Sequence, residues 1–292
     1  MHALASVLAE QLGVKCAAHP DQVLSDSARR RCFRWPCACG AVFLKVVPAE
    51  DHAQLVAEAI GLTELAKAGV LRVPQVRAQG VVGADAFLAL EWIDAAEPTA
   101  LSHRKLGERL AALHRVHSER FGWHRDNSIG PTPQMNGWLS DWPTFWRERR
   151  LRPQLDRLIR RGMGALLESP GLQLLEQTAV LLGGHRPEAS LLHGDLWGGN
   201  WCADASGAPV IFDPAVYYGD RETDLAMTRL FGGFGTAFYE SYLAAAPLAP
   251  GHALRADLYN LYHVLNHANL FGGDYPGQAF TLMRRLLAQV RR

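Results

Sequence analysis

The 292-residue chain has no apolar run near the roughly 18 residues that a membrane span needs. It has no excess of either charge: 30 basic residues face 29 acidic ones, for a formal charge of +1. That balance argues against a protein built to hold nucleic acid or an anionic membrane. It has few cysteines, an odd set of five at positions 16, 32, 37, 39 and 202. Their spacing is neither a disulfide framework nor a CxxC pair, so five reduced thiols are expected, with no zinc at "CAC". The opening "MHALASVLAEQLG" lacks a basic n-region and a long apolar core. It reads as a short amphipathic helix with Leu4, Leu8 and Leu12 on one face, and a cytoplasmic location is expected. Glycine is missing from Val23 to Cys39, and no internal repeat stands out.

What is present suits a soluble globular chain of two domains or two lobes, with 48% hydrophobic and 20% charged residues. "AVFLKVV" (41–47), between Gly40 and Pro48, reads as a strand. Its Lys45 is either an outward, solvated residue or a functional cation. "EDHAQLVAEAIGLTELAKAG" (50–69) carries Leu55, Ala59, Leu62 and Ala66 at helical spacing and includes Glu58. "VPQVRAQGVV" and "AFLALEWI" read as strands joined by a turn at Gly83–Asp85. Beyond them the pattern becomes helical, over 102–118, 137–162, 172–184 and most of 234–292. The change at residues 94–100 predicts two lobes, 1–94 and 95–292, and an α+β chain.

The densest motif is "HGDLWGGN" (193–200). After it, "NWCAD" and "PVIFD" read as two short strands around the turn "ASGA". With Asp204 opposite Pro209, Cys202 would face Ile211 and Asn200 would face Asp213. Paired residues have Cβ atoms about 5 Å apart. Three oxygen-bearing side chains, Asp195, Asn200 and Asp213, would then converge. Carboxylate and amide oxygens are the hard ligands that Mg²⁺ prefers, and a third acid outside the metal can take a proton from a nucleophilic hydroxyl. This is the equipment of phosphoryl transfer. The plainer reading, Asp and Asn as turn formers, does not account for the upstream Lys45 strand and Glu58 helix.

"FLKV", "EAIGL", "HGDLWGGN", "FDPAVYYGDRETDLAMTRLFGGF" (212–234), "LYHVLNHANLFGG" (261–273) and "ERFGWHRDNSIGPTPQMNGW" (119–138) together resemble the fructosamine (ketosamine) kinase family. That family is related to aminoglycoside and choline kinases. HGDxxxxN alone marks only the broad phosphotransferase group; the Trp after HGDL and "DPAVYYGDRE" are more specific. The resemblance implies a protein-kinase-like bilobal fold, with a β-rich N-terminal lobe and a mostly helical C-terminal lobe that clasp ATP and Mg²⁺. It implies Lys45 at the ATP phosphates, held by Glu58, and the backbone of Glu91 and Ile93 at adenine. Asp195 would be the catalytic base, and Asn200 and Asp213 the metal ligands. The implied reaction phosphorylates a sugar hydroxyl, typically the 3-hydroxyl, of a ketosamine or glycated protein, with deglycation as its role. Neither a nucleic acid nor a membrane is implied as a partner.

Trp197 could stack on the substrate or lie in the core under its loop. Asp224 is expected to anchor the catalytic loop, and His193 to orient it. His263 and His267 lie four residues apart with Asn266 and Asn269 nearby. This set could line the substrate cleft, His267 foremost, pack the helix or ligate a metal, although it lacks the HExxH glutamate. The glycine-free stretch departs from the family, because glycines let backbone N–H groups approach phosphates closely. Arg29, Arg30 and Arg31 could supply charge there instead, or form an exposed basic run. Two other readings stay open: a kinase of another amino-sugar or amino-alcohol, and a nucleotide-binding pseudokinase.

Overall fold

A computed structural model describes residues 1–27 and 29–290. The chain divides into two compact units, Met1–Ser102 with Trp201–Pro214, and His103–Asn200 with Ala215–Arg292. The stretch 201–214 therefore groups with the N-terminal residues.

The first unit begins with helix α1 (His2–Leu12), ended by Gly13 in the left-handed conformation that glycine adopts without strain. Strands β1 (Gln22–Asp26), β2 (Arg31–Trp35) and β3 (Val42–Pro48) follow, then helix α2 (His52–Lys67) and strands β4 (Val76–Val82), β5 (Asp85–Glu91) and β6 (Ala95–Ala96). Five of the strands form an antiparallel sheet in the order β1-β2-β3-β5-β4. One face buries Phe33, Trp35, Val42, Leu44, Val46, Phe87 and Ala89 against Leu4 and Leu8 of α1. Helix α2 packs on β4 and β5 and buries Leu55, Ala59 and Leu62. With both faces covered, the alternation of inward apolar and outward polar side chains breaks down. Lys45, in the centre of the sheet, is 1% exposed, so the solvated reading fails.

The chain continues through α3 (Ala100–Leu113), β7 (His117–Ser118), β8 (Asn127–Ile129), β9 (Thr132–Gln134), α4 (Trp142–Phe145), α5 (Arg152–Leu158), α6 (Gly164–Leu181) and β10 (Ala189–Leu192). A π-helical stretch, Trp146–Leu151, links α4 to α5. The hairpin β11 (Trp201–Asp204) and β12 (Pro209–Ile211) follows, then β13 (Tyr217–Gly219), α7 (Glu222–Leu230), α8 (Thr236–Ala245), α9 (His252–Phe271) and α10 (Tyr275–Val290). The second unit is mostly helical. Its core stacks Trp142, Trp146, Tyr259 and Tyr262 with Phe145 and Tyr217. No helix among the described residues is long and apolar enough to cross a membrane.

Two expectations are corrected. Cys16 and Cys37 form a disulfide, while Cys32, Cys39 and Cys202 are free. A backbone bridge between Cys16 and Cys37 brings their Cα atoms to 4.0 Å, a proximity that sequence spacing does not reveal. The β11–β12 register is also one residue from the expected one. Trp201 pairs with Ile211, Cys202 with Val210 and Ala203 with Pro209, so Asn200 and Asp213 lie outside the ladder. The turn itself is the cause. Asp204 Oδ1 accepts hydrogen bonds from Ser206 N and Ala208 N, and Asp204 N donates to Ala208 O, which closes the loop one residue early.

Candidate active site

In the first unit the predicted lysine–glutamate pair is formed. Lys45 Nζ lies 2.6 Å from Glu58 Oε1 and 2.5 Å from Asp213 Oδ1. Burial would drive the ammonium to lose its proton. The charges of Asp213 and Glu58 outweigh that and raise the Lys45 pKa above its ordinary value, so it stays cationic. On Asp213 burial favours the protonated, neutral carboxyl, but Lys45 and Arg30 win and hold it well below the usual range. At Glu58 burial prevails and its pKa is raised.

Asp213 is reached by a strained backbone. Its φ of 58° makes it the one non-glycine residue with positive φ among the described residues. This left-handed conformation is one that Asp tolerates better than most side chains. Residues beyond the sequence expectation fix the hairpin that carries Asp213. Arg72 pairs with Asp204 and, at 2.7 Å, with Glu91, and its carbonyl accepts from Ile211 N. Strand β6 pairs with β11. Glu91 ends β5, and its own N–H donates to Gln75 O. Ile93 follows two residues later, just past the strand.

In the second unit the HGDLWGGN loop is clamped from below. Asp224, 1% exposed on α7, accepts from His193 N at 2.8 Å through Oδ2 and from Gly194 N at 2.9 Å through Oδ1. His114 Nε2 lies 3.2 Å from Oδ2, and its Nδ1 is 2.8 Å from Tyr242 Oη. Burial opposes the charge on Asp224, but the hydrogen bonds from His114 and from Gly194 N–H keep its pKa below the ordinary value. Gly194 has φ +82°, and a Cβ there would run into the Ala215 carbonyl. The loop therefore turns against the Ala215 backbone with no room for a side chain.

Above the clamp, Asp195 N lies 3.3 Å from His193 Nδ1, which gives His193 the orienting part expected of it. Asn200 Nδ2 donates to Asp195 O at 2.8 Å and, more weakly, to Asp195 Oδ2 at 3.3 Å. With the amide nitrogen committed, Oδ1 is the atom with which Asn200 would take a metal. Trp197 is 41% exposed rather than a core residue, and its ring lies across Gly199. Gly198 packs so closely on Gly233 that an added Cβ would come within 2.9 Å of the Gly233 Cα. Phe231, just before Gly232 and Gly233, packs at a tilt against His267, with ring centroids 4.8 Å apart, and Phe271 and Tyr275 complete the aromatic surround of His267. His263, Asn266 and Asn269 pack the helix instead. His263 is buried, and Asn266 and Asn269 bond Gln154.

Sequence reading missed His114, Tyr242, Arg72 and Asp204.

A crystal structure of an aminoglycoside phosphotransferase superimposes over 99% of this chain and 98% of its own, with a TM-score of 0.67 at 16% identity. The fold is of the protein-kinase-like class. Within that class the relationship is narrower. The fructosamine kinase family profile matches residues 1–289, and the chain belongs to that family. A probable ketoamine kinase of Synechocystis is 44% identical over 84% of this chain and 82% of its own. The chloroplastic protein-ribulosamine 3-kinase of Arabidopsis thaliana is 38% identical over 86% of this chain and 78% of its own. A crystal structure of a candidate fructosamine-3-kinase from Thermobifida fusca matches with a TM-score of 0.87 and 32% identity, over 99% of each chain.

Proposed function

We propose that the protein transfers the γ-phosphate of ATP to a sugar hydroxyl, typically the 3-hydroxyl, of a ketosamine such as a fructosamine or ribulosamine adduct, and so takes part in deglycation. The observation that carries this reading is the clamped HGDLWGGN loop, with Asp195 held by Asn200, in a chain whose relatives are named for ketoamine and ribulosamine substrates.

The donor set fits a divalent cation. Asp213 offers a carboxylate that Lys45 and Arg30 keep ionised, and Asn200 Oδ1 is a neutral hard oxygen. Mg²⁺ held there would neutralise phosphate charge during transfer. Lys45, kept charged by Asp213 and Glu58, faces the α- and β-phosphates. The adenine edge is read by backbone, through the Glu91 carbonyl, since its N–H is spent on Gln75, and through Ile93 N–H. Asp195 orients the acceptor hydroxyl and takes its proton as the oxygen–phosphorus bond forms. Trp197 stacks on the sugar or the amine-bearing part, and His267 borders that pocket.

ATP consumption measured against fructosamines, ribulosamines and aminoglycosides tests the reading. Mg²⁺-dependent turnover on a ketosamine is expected, and its absence on every ketosamine sinks the proposal. Asp195→Ala should keep ATP binding and lose turnover by about a hundredfold or more, as for removal of a general base; a near wild-type rate refutes the assignment.

A further inference from the structure

Asp213 pairs with two cations, Lys45 and Arg30. Lys45 is fixed in the sheet and already paired with Glu58. Arg30 arrives from the turn between β1 and β2 and places Nη2 2.7 Å from Asp213 Oδ2. Ser27 ties down the Arg30 backbone. Ser27 N and Ser27 Oγ both donate to Arg30 O, at 3.1 and 2.9 Å, and Arg30 N donates to Ser27 Oγ at 3.1 Å. The neighbouring arginines go elsewhere. Arg29 only approaches Glu50, at 3.9 Å, with both ends exposed, and Arg31 pairs with Asp85 at 2.6 Å.

The four groups Lys45, Glu58, Asp213 and Arg30 sum to zero formal charge. A divalent ion on Asp213 would compete with Arg30 for Oδ2 and set its positive charge against the guanidinium. A displaced guanidinium on a turn with no glycine is a fork suited to phosphate oxygens. Because its side chain is about half exposed, at 47%, it can swing without unpacking the sheet.

We propose that Arg30 is a resident counter-cation for Asp213. It neutralises the metal-binding carboxylate in the metal-free protein, yields Oδ2 to a divalent cation, and then grips the nucleotide phosphates in place of glycine-loop amides. The inference rests on Asp213 as a metal ligand, the reading given above.

Mn²⁺ binding followed by electron paramagnetic resonance, and ADP binding by calorimetry at saturating Mn²⁺, separate the two roles. Arg30→Ala should tighten nucleotide-free Mn²⁺ binding about fivefold, the factor expected for a partly exposed ion pair, and weaken ADP by a similar factor. Arg30→Lys should restore part of the ADP affinity, and Arg29→Ala should change neither. A general loss of structure cannot produce effects of opposite sign, and the thermal melt of Arg30→Ala should match wild type within a few degrees. If Mn²⁺ binding or ADP binding stays unchanged or moves the other way in Arg30→Ala, while Asp213→Asn abolishes Mn²⁺ binding, this inference alone is overturned. Wild-type Mn²⁺ affinity in Asp213→Asn overturns the metal reading and the inference with it.

Discussion

Asp224→Asn is nearly isosteric and changes only what the side chain can accept. In the native protein both oxygens receive backbone donors, His193 N–H on one and Gly194 N–H on the other, with His114 also on the first. An amide has one oxygen. If it faces Gly194 N–H, its NH₂ confronts His193 N–H; if it flips, Gly194 N–H loses its partner. His114 can adapt by changing tautomer, but a backbone N–H cannot. One buried donor is orphaned in either orientation, at about 1–3 kcal/mol, and the bond that remains loses its charged acceptor. Together these predict a loss of about 3 kcal/mol, since Asp224 is 1% exposed and no water can substitute.

Urea unfolding of the wild type and of Asp224→Asn, with intrinsic Trp fluorescence as the probe, measures the loss. Turnover should also fall, because His193 and Gly194 set the position of Asp195, while binding of nucleotide to groups of the first unit stays close to wild type. The pH sign follows from the depressed pKa of Asp224. Its contribution is present above the unfolded carboxyl pKa of about 4 and is lost as pH falls through the folded value. The destabilisation by Asn should therefore shrink in strong acid. A loss under about 0.5 kcal/mol at pH 7, or full turnover in the variant, would refute the clamp.

Two further predictions concern buried charge. His263 is buried and its pKa is pushed down to about 3, by burial first, with His267 and Arg150 adding to it. The unfolded chain takes up that proton near pH 6.5 and the folded chain does not, so stability should fall between pH 6.5 and 3, on the order of 4 kcal/mol in all. His263→Phe should flatten that part of the stability–pH curve, and an unchanged slope counts against it. Arg255 holds both oxygens of Glu222 at 2.7 Å, with the two side chains 5% and 4% exposed. Arg255→Ala should cost about 3–5 kcal/mol by stranding the carboxylate. Adding Glu222→Gln should recover part of that by removing the stranded charge, and no recovery in thermal or urea melts would show that the guanidinium acts through its bonds to the Pro250 and Ala249 carbonyls instead.

The elements were legible where one physical signal dominated. The run "AVFLKVV" between Gly40 and Pro48 is a strand, and the leucine spacing of 50–69 is a helix. Burial of Lys45 was not legible, because alternation assumes one wet face and α1 and α2 cover both. The hairpin register slipped for a local reason. "ADASGA" offers several four-residue turns, and only the bonds that Asp204 makes to its own loop choose among them. Pairing of Cys16 with Cys37 depends on a backbone bridge between residues 21 apart, which no composition rule carries.

The site divides along the same line. Residue type and local spacing are enough for side chains whose partners lie close in sequence, such as Asp195 and Asn200, five residues apart in one loop. They fail where the partner is set by topology. Arg30 meets Asp213 across 183 residues and His114 meets Asp224 across 110. Both long-range partners are cationic or proton-bearing groups brought to a buried or half-buried acid, and the sequence shows such groups only as members of a basic run or a helix. The glycine-free loop sharpens the point. A glycine loop lets its own amides approach phosphate, so its function can be read locally. An arginine turn works only through what its side chain reaches, and Arg30 reaches Asp213, far along the chain.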